Sequence, residues 1–324
     1  MSMKSFLRNK ALHTGSYIVR RGRQRLLFIL SLVVTVTLII TLGIRLEKSG
    51  IFSKMNTRRE VPRKKIISDW EAKKWNDVHA EAVFSLTVQP LDAFFLSFRG
   101  LSAYYKGMDL PEGEERTGLL DEAVMSLRKA ITTKGEMPNA QVEYVLGKAY
   151  FAKGDCYFDE AVKYLELSIA SGYIGIDSWE YLALGYVGLG QKKEAVKSFE
   201  IALERSRTDL LLLSAAKAYL DFGQPIKAEA LLLELLASGK DDLAKENGRF
   251  IMGDIYKSRA NFAMAEEQYS LILMKDPSSS EAHYRIGIIY QIMGDSIKAR
   301  AEWRKAVALD PMHAASRQKL AEKL

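Results

Sequence analysis

The feature that most constrains this chain is a repeat inside it. Residues 246–277 read ENGRFIMGDIYKSRANFAMAEEQYSLILMKDP and residues 280–311 read SEAHYRIGIIYQIMGDSIKARAEWRKAVALDP. Laid over each other at a spacing of 34, Gly253 meets Gly287, Tyr256 meets Tyr290, Ala265 meets Ala299, Tyr269 meets Trp303 and Pro277 meets Pro311. A period of that length means one supersecondary unit per repeat, each stacked on the next, because a single unit cannot bury its own apolar face.

The pattern extends upstream. In residues 176–207, Trp179, Leu182, Tyr186, Gly190, Ala195, Phe199 and Ala202 fall at positions 4, 7, 11, 15, 20, 24 and 27 of the unit, with Ala183 in place of the position-8 glycine. Leu212, Ala216, Tyr219, Gly223, Ala228 and Leu232 fit more loosely in 209–240. Residues 140–173 supply Leu146, Gly147, Tyr150 and Gly154, after which two extra residues delay Ala161, Leu165 and Ser168. A sixth, degenerate unit opens near residue 93 with Gly100 and Gly107, and its second helix is expected only near residue 119, leaving 108–118 (MDLPEGEERTG) as an acidic loop and a second candidate contact surface. Ahead of it, Ser68-x-x-Glu71 reads as a capping box that opens a helix running toward Pro90.

With this spacing, residues 93–324 resemble the tetratricopeptide repeat (TPR) family, most strongly over 140–311. The resemblance implies an all-α, right-handed superhelical solenoid of helix hairpins. Small residues at positions 8 and 20 let the two helices of a hairpin cross closely, and large ones at 4, 7, 11 and 24 fill the space between. Glycine at 15 ends the first helix in the left-handed conformation. Asp276-Pro277 and Asp310-Pro311 end the second, since proline disfavours helix in the residue before it. The division expected is a basic tail over 1–25, a transmembrane helix over 26–44, a basic linker over 45–65, a degenerate helical region over 66–139, five repeats over 140–311 and a capping helix over 312–324, with Ala315 and Leu320 on its covering face.

Residues 26–44, LLFILSLVVTVTLIITLGI, carry no charge and lie between Arg25 and Arg45. As a helix they span about 28 Å, close to a bilayer core. The run is long for a signal-peptide core, and RLEKSG after it offers no small-x-small cleavage site, so an uncleaved anchor in the lipid bilayer is expected. Seven Lys/Arg precede it and eight follow before residue 66. The denser group, Arg20, Arg21, Arg23 and Arg25, assigns the N-terminus to the cytoplasm and the body to the outer side of a plasma (inner) membrane. Residues 1–65 hold 15 basic residues against Glu47 and Glu60, whereas the remainder holds 32 basic against 38 acidic. The body is therefore mildly acidic, which argues against nucleic acid as partner.

No phosphate-binding loop, nucleophile elbow, H-E-x-x-H or C-x-x-C is present. Cys156, in the insertion after Gly154, reads as a turn residue. His79 beside Glu81 reads as a surface residue, His283 falls at packing position 4, and His313 sits in the turn before the last helix. No enzyme activity, metal, cofactor or small-molecule substrate is expected.

The family resemblance assigns function to the concave groove, lined by positions 2, 5, 9, 12 and 13 of the first helices. The groove residues singled out are Tyr144, Lys148, Phe151, Glu180, Lys217, Phe250, Asp254, Lys257, Tyr284 and Gln291. Such a lining suits an extended or helical segment of another protein, although position 5 also borders the core. The carboxylate clamp of chaperone-binding members is absent: positions 5 and 9 read Tyr144/Lys148, Glu180/Leu184, Leu213/Lys217, Phe250/Asp254 and Tyr284/Ile288, and only Arg285, at position 6, matches. The expected function is a membrane-anchored scaffold in an envelope-associated complex. The alternatives are a tethered chaperone or quality-control factor for unfolded clients and a cytoplasm-facing docking receptor.

Overall fold

The computed structural model describes residues 62–133 and 139–322. The expected tail 1–25, the membrane span 26–44 and the linker up to residue 61 lie outside the described residues. Among those described, no helix is long and apolar enough to cross a membrane. The chain divides into two compact units, Met1–Lys74 and Trp75–Leu324.

The described part of the first unit is a helix over 62–71. It ends in a turn where the Lys73 and Lys74 amides donate to Trp70 and Asp69, with Lys73 at φ 56°. This corrects the expected capping box. Ser68 is inside this helix, its carbonyl accepting from Ala72, and the helix running toward Pro90 opens instead at Trp75.

The second unit is built of α1 (Trp75–Val88), α2 (Ala93–Met108), α3 (Glu114–Thr132), α4 (Asn139–Ala152), α5 (Phe158–Ala170), α6 (Ser178–Gly188) and α7 (Lys192–Arg205). It continues with α8 (Asp209–Asp221), α9 (Pro225–Ser238), α10 (Asp242–Ser258), α11 (Phe262–Lys275), α12 (Ser280–Ile292), α13 (Ser296–Leu309) and α14 (Ala314–Ala321). No strand occurs among the described residues. From α2 onward the helices pair as hairpins, and each second helix also packs on the first helix of the next hairpin. The first helices α2, α4, α6, α8 and α10 touch in succession and form one layer. The α14 helix closes the end by packing on α13.

The second helix of the first hairpin does not arrive late. The connection is only 109–113, and α3 starts at Glu114, so the expected long acidic loop is mostly helix. Glu114 and Glu115 sit in the first turn, where acidic side chains favour the positive end of the helix dipole.

The small-residue positions perform the crossing expected of them. A Cβ added at Gly287 would lie 2.4 Å from Trp303 Nε1, and one at Gly253 would lie 2.3 Å from the Tyr269 ring. Trp303, Tyr269 and Phe199 are completely buried, each burial being worth about 1.5–3 kcal/mol in transfer free energy. The Trp303 indole N–H donates to the Tyr284 carbonyl at 3.2 Å, so its polar atom is satisfied. One apolar core runs without a break from Ala183 to Ile289.

The first helices of four hairpins end in the same motif. At Gly190, Gly223, Ala260 and Gly294 the amide donates three residues back, and the next amide donates five back. This is the Schellman pair, and it needs positive φ at that residue. Gly294 has φ 82° and Ala260, the exception in residue type, has φ 56°. The second helices α11 and α13 end at Asp276 and Asp310, both extended in front of proline.

Candidate functional site

The layer of first helices carries the groove positions, and three regions of it differ in what their side chains do. At the N-terminal side, Tyr144 and Lys148 lie one turn apart on α4, facing Asp177, the residue before α6. Lys148 Nζ donates to Asp177 Oδ2 at 2.7 Å and to the Tyr144 hydroxyl at 3.2 Å, while the Tyr144 hydroxyl donates to Asp177 Oδ1. The ammonium also stands 4.5 Å from the Tyr181 ring centroid and 5.9 Å from that of Tyr104, a cation–π arrangement in a poorly hydrated setting. The Tyr144 ring lies flush against Gly175, where a Cβ would come within 2.6 Å of it. Tyr144 and Lys148 are both buried. Burial, followed by the hydrogen bond and charge of Asp177, pushes the Tyr144 hydroxyl far above the usual tyrosine range. Burial is also the main cause for Tyr104. Phe151 packs edge-on to Tyr181 with centroids 5.2 Å apart.

At the C-terminal side, Asp254 on α10 gathers Lys257 at 2.6 Å, the Tyr269 hydroxyl at 3.0 Å and Arg285 of α12. Arg285 Nε donates to Glu281 at 2.5 Å, and its guanidinium lies 4.9 Å from the Phe250 ring centroid. Glu281 also bonds His313 Nε2 at 3.2 Å, whose ring in turn lies 5.3 Å from that of Tyr284. Two hairpins and α14 are thereby tied together. Gln291 is half-buried on the same helix as Tyr284.

Between these two linked regions lies an open cleft of about 300 Å³. Leu184 and Val187 of α6, Ala195 of α7 and Ala218 of α8 give it an apolar floor, and Lys192, Ser214, Lys217 and Asp221 form the rim. Lys192 is held by Asp221 at 2.9 Å. Lys217 is exposed, and Val187 keeps 47% of its surface in solvent. Glu180, one turn before Leu184, is half-buried, and burial with the neighbouring Asp177 charge raises its carboxyl pKa.

The structure thus separates the ten groove residues. Tyr144, Lys148, Phe151, Phe250, Asp254, Lys257 and Tyr284 are engaged with their own chain, whereas Lys217 borders open space. The apolar floor of the cleft was not singled out in the sequence. Its one signal is that a leucine at position 9 and a valine at position 12 fall in the same repeat, whereas each other unit carries a polar or aromatic residue at one or both of these positions.

The three histidines among the described residues are all partnered. His79 is not a surface residue: its Nε2 meets Glu122 at 3.0 Å, with Arg99 on the same carboxyl at 2.7 Å. His283 pairs with Glu302 at 2.6 Å. His313 caps α14, its Nδ1 accepting from the Ser316 amide. Cys156 is exposed within a short 3-10 turn, Asp155–Tyr157. Among the described residues no group of three ligands can hold a metal ion.

Stacked hairpins with linked first helices define a helical-repeat protein. The tetratricopeptide repeat family model matches residues 280–313. The C-terminal part of a TPR repeat-containing protein from Cytophaga hutchinsonii is similar with TM-score 0.58 and 14% identity, over 80% of this chain and all of that one. A tetratricopeptide repeat protein from Parabacteroides merdae is similar with TM-score 0.54 and 18% identity, over 69% of this chain and 85% of that one. Superkiller complex protein 3 from Mus musculus is 29% identical over 123 residues, which is 36% of this chain and only 8% of the mouse protein. The repeat at residues 280–313 is thus of the TPR type, and the likeness to the two solved structures is one of fold.

Proposed function

We propose that this chain is a membrane-anchored, non-catalytic TPR scaffold that docks a protein partner in the cleft between α6 and α8. Residues 26–44 hold it in the plasma membrane, the arginine-rich N-terminus stays in the cytoplasm, and the repeat body works on the outer side in an envelope-associated complex. One observation carries the docking reading. The groove is cross-bonded on both sides, while the cleft between leaves Val187 half in solvent beside an exposed lysine. An apolar floor with a charged rim fits a protein segment that buries one or two side chains.

The reading divides into two tests. A reporter active only outside the cytoplasm, fused after Leu324, should be active, and a cytoplasmic reporter at the same place should be silent. The reverse pattern would move the partner to the cytosol. Val187→Glu should weaken capture of the partner from solubilised membranes at least tenfold. Tyr284→Ala, outside the cleft, should leave capture nearly unchanged. Equal effects of the two substitutions would refute the cleft as the docking place.

A further inference from the structure

A second apolar surface of the repeat body is left open. On α1, Val78, Ala82, Ser85 and Leu86 are buried on one side. On the other, Phe84, Val88 and Leu91 are 67%, 72% and 62% exposed. Phe84 and Val88 lie one turn apart on the same face of α1, Leu91 follows in the turn after the helix, and exposed Asp77 lies on the face of Phe84 and Val88, two turns or about 10 Å before Phe84. The opposite end of the body differs. There α14 turns exposed Arg317 and Gln318 to solvent, the polar outer face that a terminal element of a repeat array needs. A contiguous apolar stripe on an end helix marks a contact surface.

The stripe and the cleft complement each other. The cleft has an apolar floor and room for the Phe84 ring beside Val88, and Lys217 stands exposed on its rim. The stripe offers two apolar side chains on α1, a third in the turn after it, and an acid on the same face, opposite in charge to the exposed rim lysine. The basic leader of this chain is a poor occupant, since its 15 Lys/Arg would face Lys192 and Lys217.

We propose that α1 of one copy docks into the α6–α8 cleft of a second copy, head to tail. This rests on reading the cleft as a docking site, and it names the partner. The two surfaces are different and lie on different hairpins. The contact is therefore heterologous, leaving one stripe and one cleft unfilled in any open assembly, so that copies add in rings or rows. Anchoring in one membrane raises the effective concentration for such addition.

The test uses the full chain in detergent, with mass measured by light scattering over a wide concentration range. The wild type is expected to rise above monomer mass with concentration. Phe84→Glu and Val187→Glu, both at exposed positions and both expected to keep the wild-type unfolding curve, should each remain monomeric. Mixed in equal amounts they should form a dimer and nothing larger, because one variant retains its cleft and the other its stripe. A mixture that stays monomeric, or variants that associate like the wild type, would overturn the proposal. A monomeric wild type in which Val187→Glu still weakens capture of a different protein would leave the docking reading standing and remove the second copy as its occupant.

Discussion

Replacing Ala260 with glycine should stabilise this protein, against the usual direction for a change to glycine. Ala260 closes α10 with φ 56°, its amide donating to Lys257 and the Asn261 amide donating to Tyr256. The three matching positions are glycine, and Gly294 holds the same geometry at φ 82°. The left-handed conformation costs an L-residue roughly 1–2 kcal/mol, from Cβ against the carbonyl oxygen. Glycine removes that cost but adds unfolded-state entropy of about 0.4–1 kcal/mol. The position is exposed, so no packing is lost. The net gain is about 0.5–1 kcal/mol, and Gly294→Ala should lose a similar amount. Because repeat arrays unfold in parts, the sharper assay is hydrogen exchange of the amides at the end of α10. Ala260→Gly should slow exchange there about two- to fivefold, equivalent to that gain, and Gly294→Ala should speed it at the end of α12. If Ala260→Gly accelerated exchange or lowered stability, the cap geometry assigned to these helix ends would be wrong.

Other consequences follow from the same contacts. Lys148→Met should destabilise by about 3 kcal/mol in urea unfolding, because it leaves Asp177 and the Tyr144 hydroxyl without their buried cation. Gly287→Ala should cost about 1–3 kcal/mol in the same assay, since its Cβ would press on a fully buried Trp303. The Tyr104 and Tyr144 hydroxyls have pKa values raised above the ordinary 10.0 in the folded state, so stability is complete below pH 10 and falls above it, where only the unfolded chain ionises them. Tyrosinate absorbance should therefore show a late step that coincides with loss of helical circular dichroism. Burial pushes the Glu122 carboxyl up, but the hydrogen bonds and charges of Arg99 and His79 outweigh it and hold the pKa below 4.5. That stability is present above pH 4.5 and is lost as pH falls through the folded value, so Glu122→Gln should flatten the acid limb of the unfolding profile.

The hairpin framework was readable in the sequence wherever the close-crossing residues are strict. Gly253 and Gly287, 34 residues apart, each sit under a large ring of the paired helix, and only a small residue fits there. The register failed where helix length changes. The first hairpin has helices of 16 and 19 residues, so counting from Gly107 placed the second helix late. Ser68-x-x-Glu71 misled because a capping box has the same composition as an ordinary exposed helix turn. The groove positions could be named, but not which were free. Lys148 and Lys217 share position 9, yet one is enclosed by tyrosines from two neighbouring hairpins and the other stands in solvent. What separates them is the residue facing each from the adjoining repeat, and that follows from stacking, not from position within a unit.

The most direct test of the docking claim is photocrosslinking from the cleft in intact membranes. A photoreactive residue placed at Val187 should give a discrete crosslinked protein product, whereas the same residue at exposed Glu267 on α11 should give none. Crosslinking from position 267 but not 187, or from neither, would contradict the account.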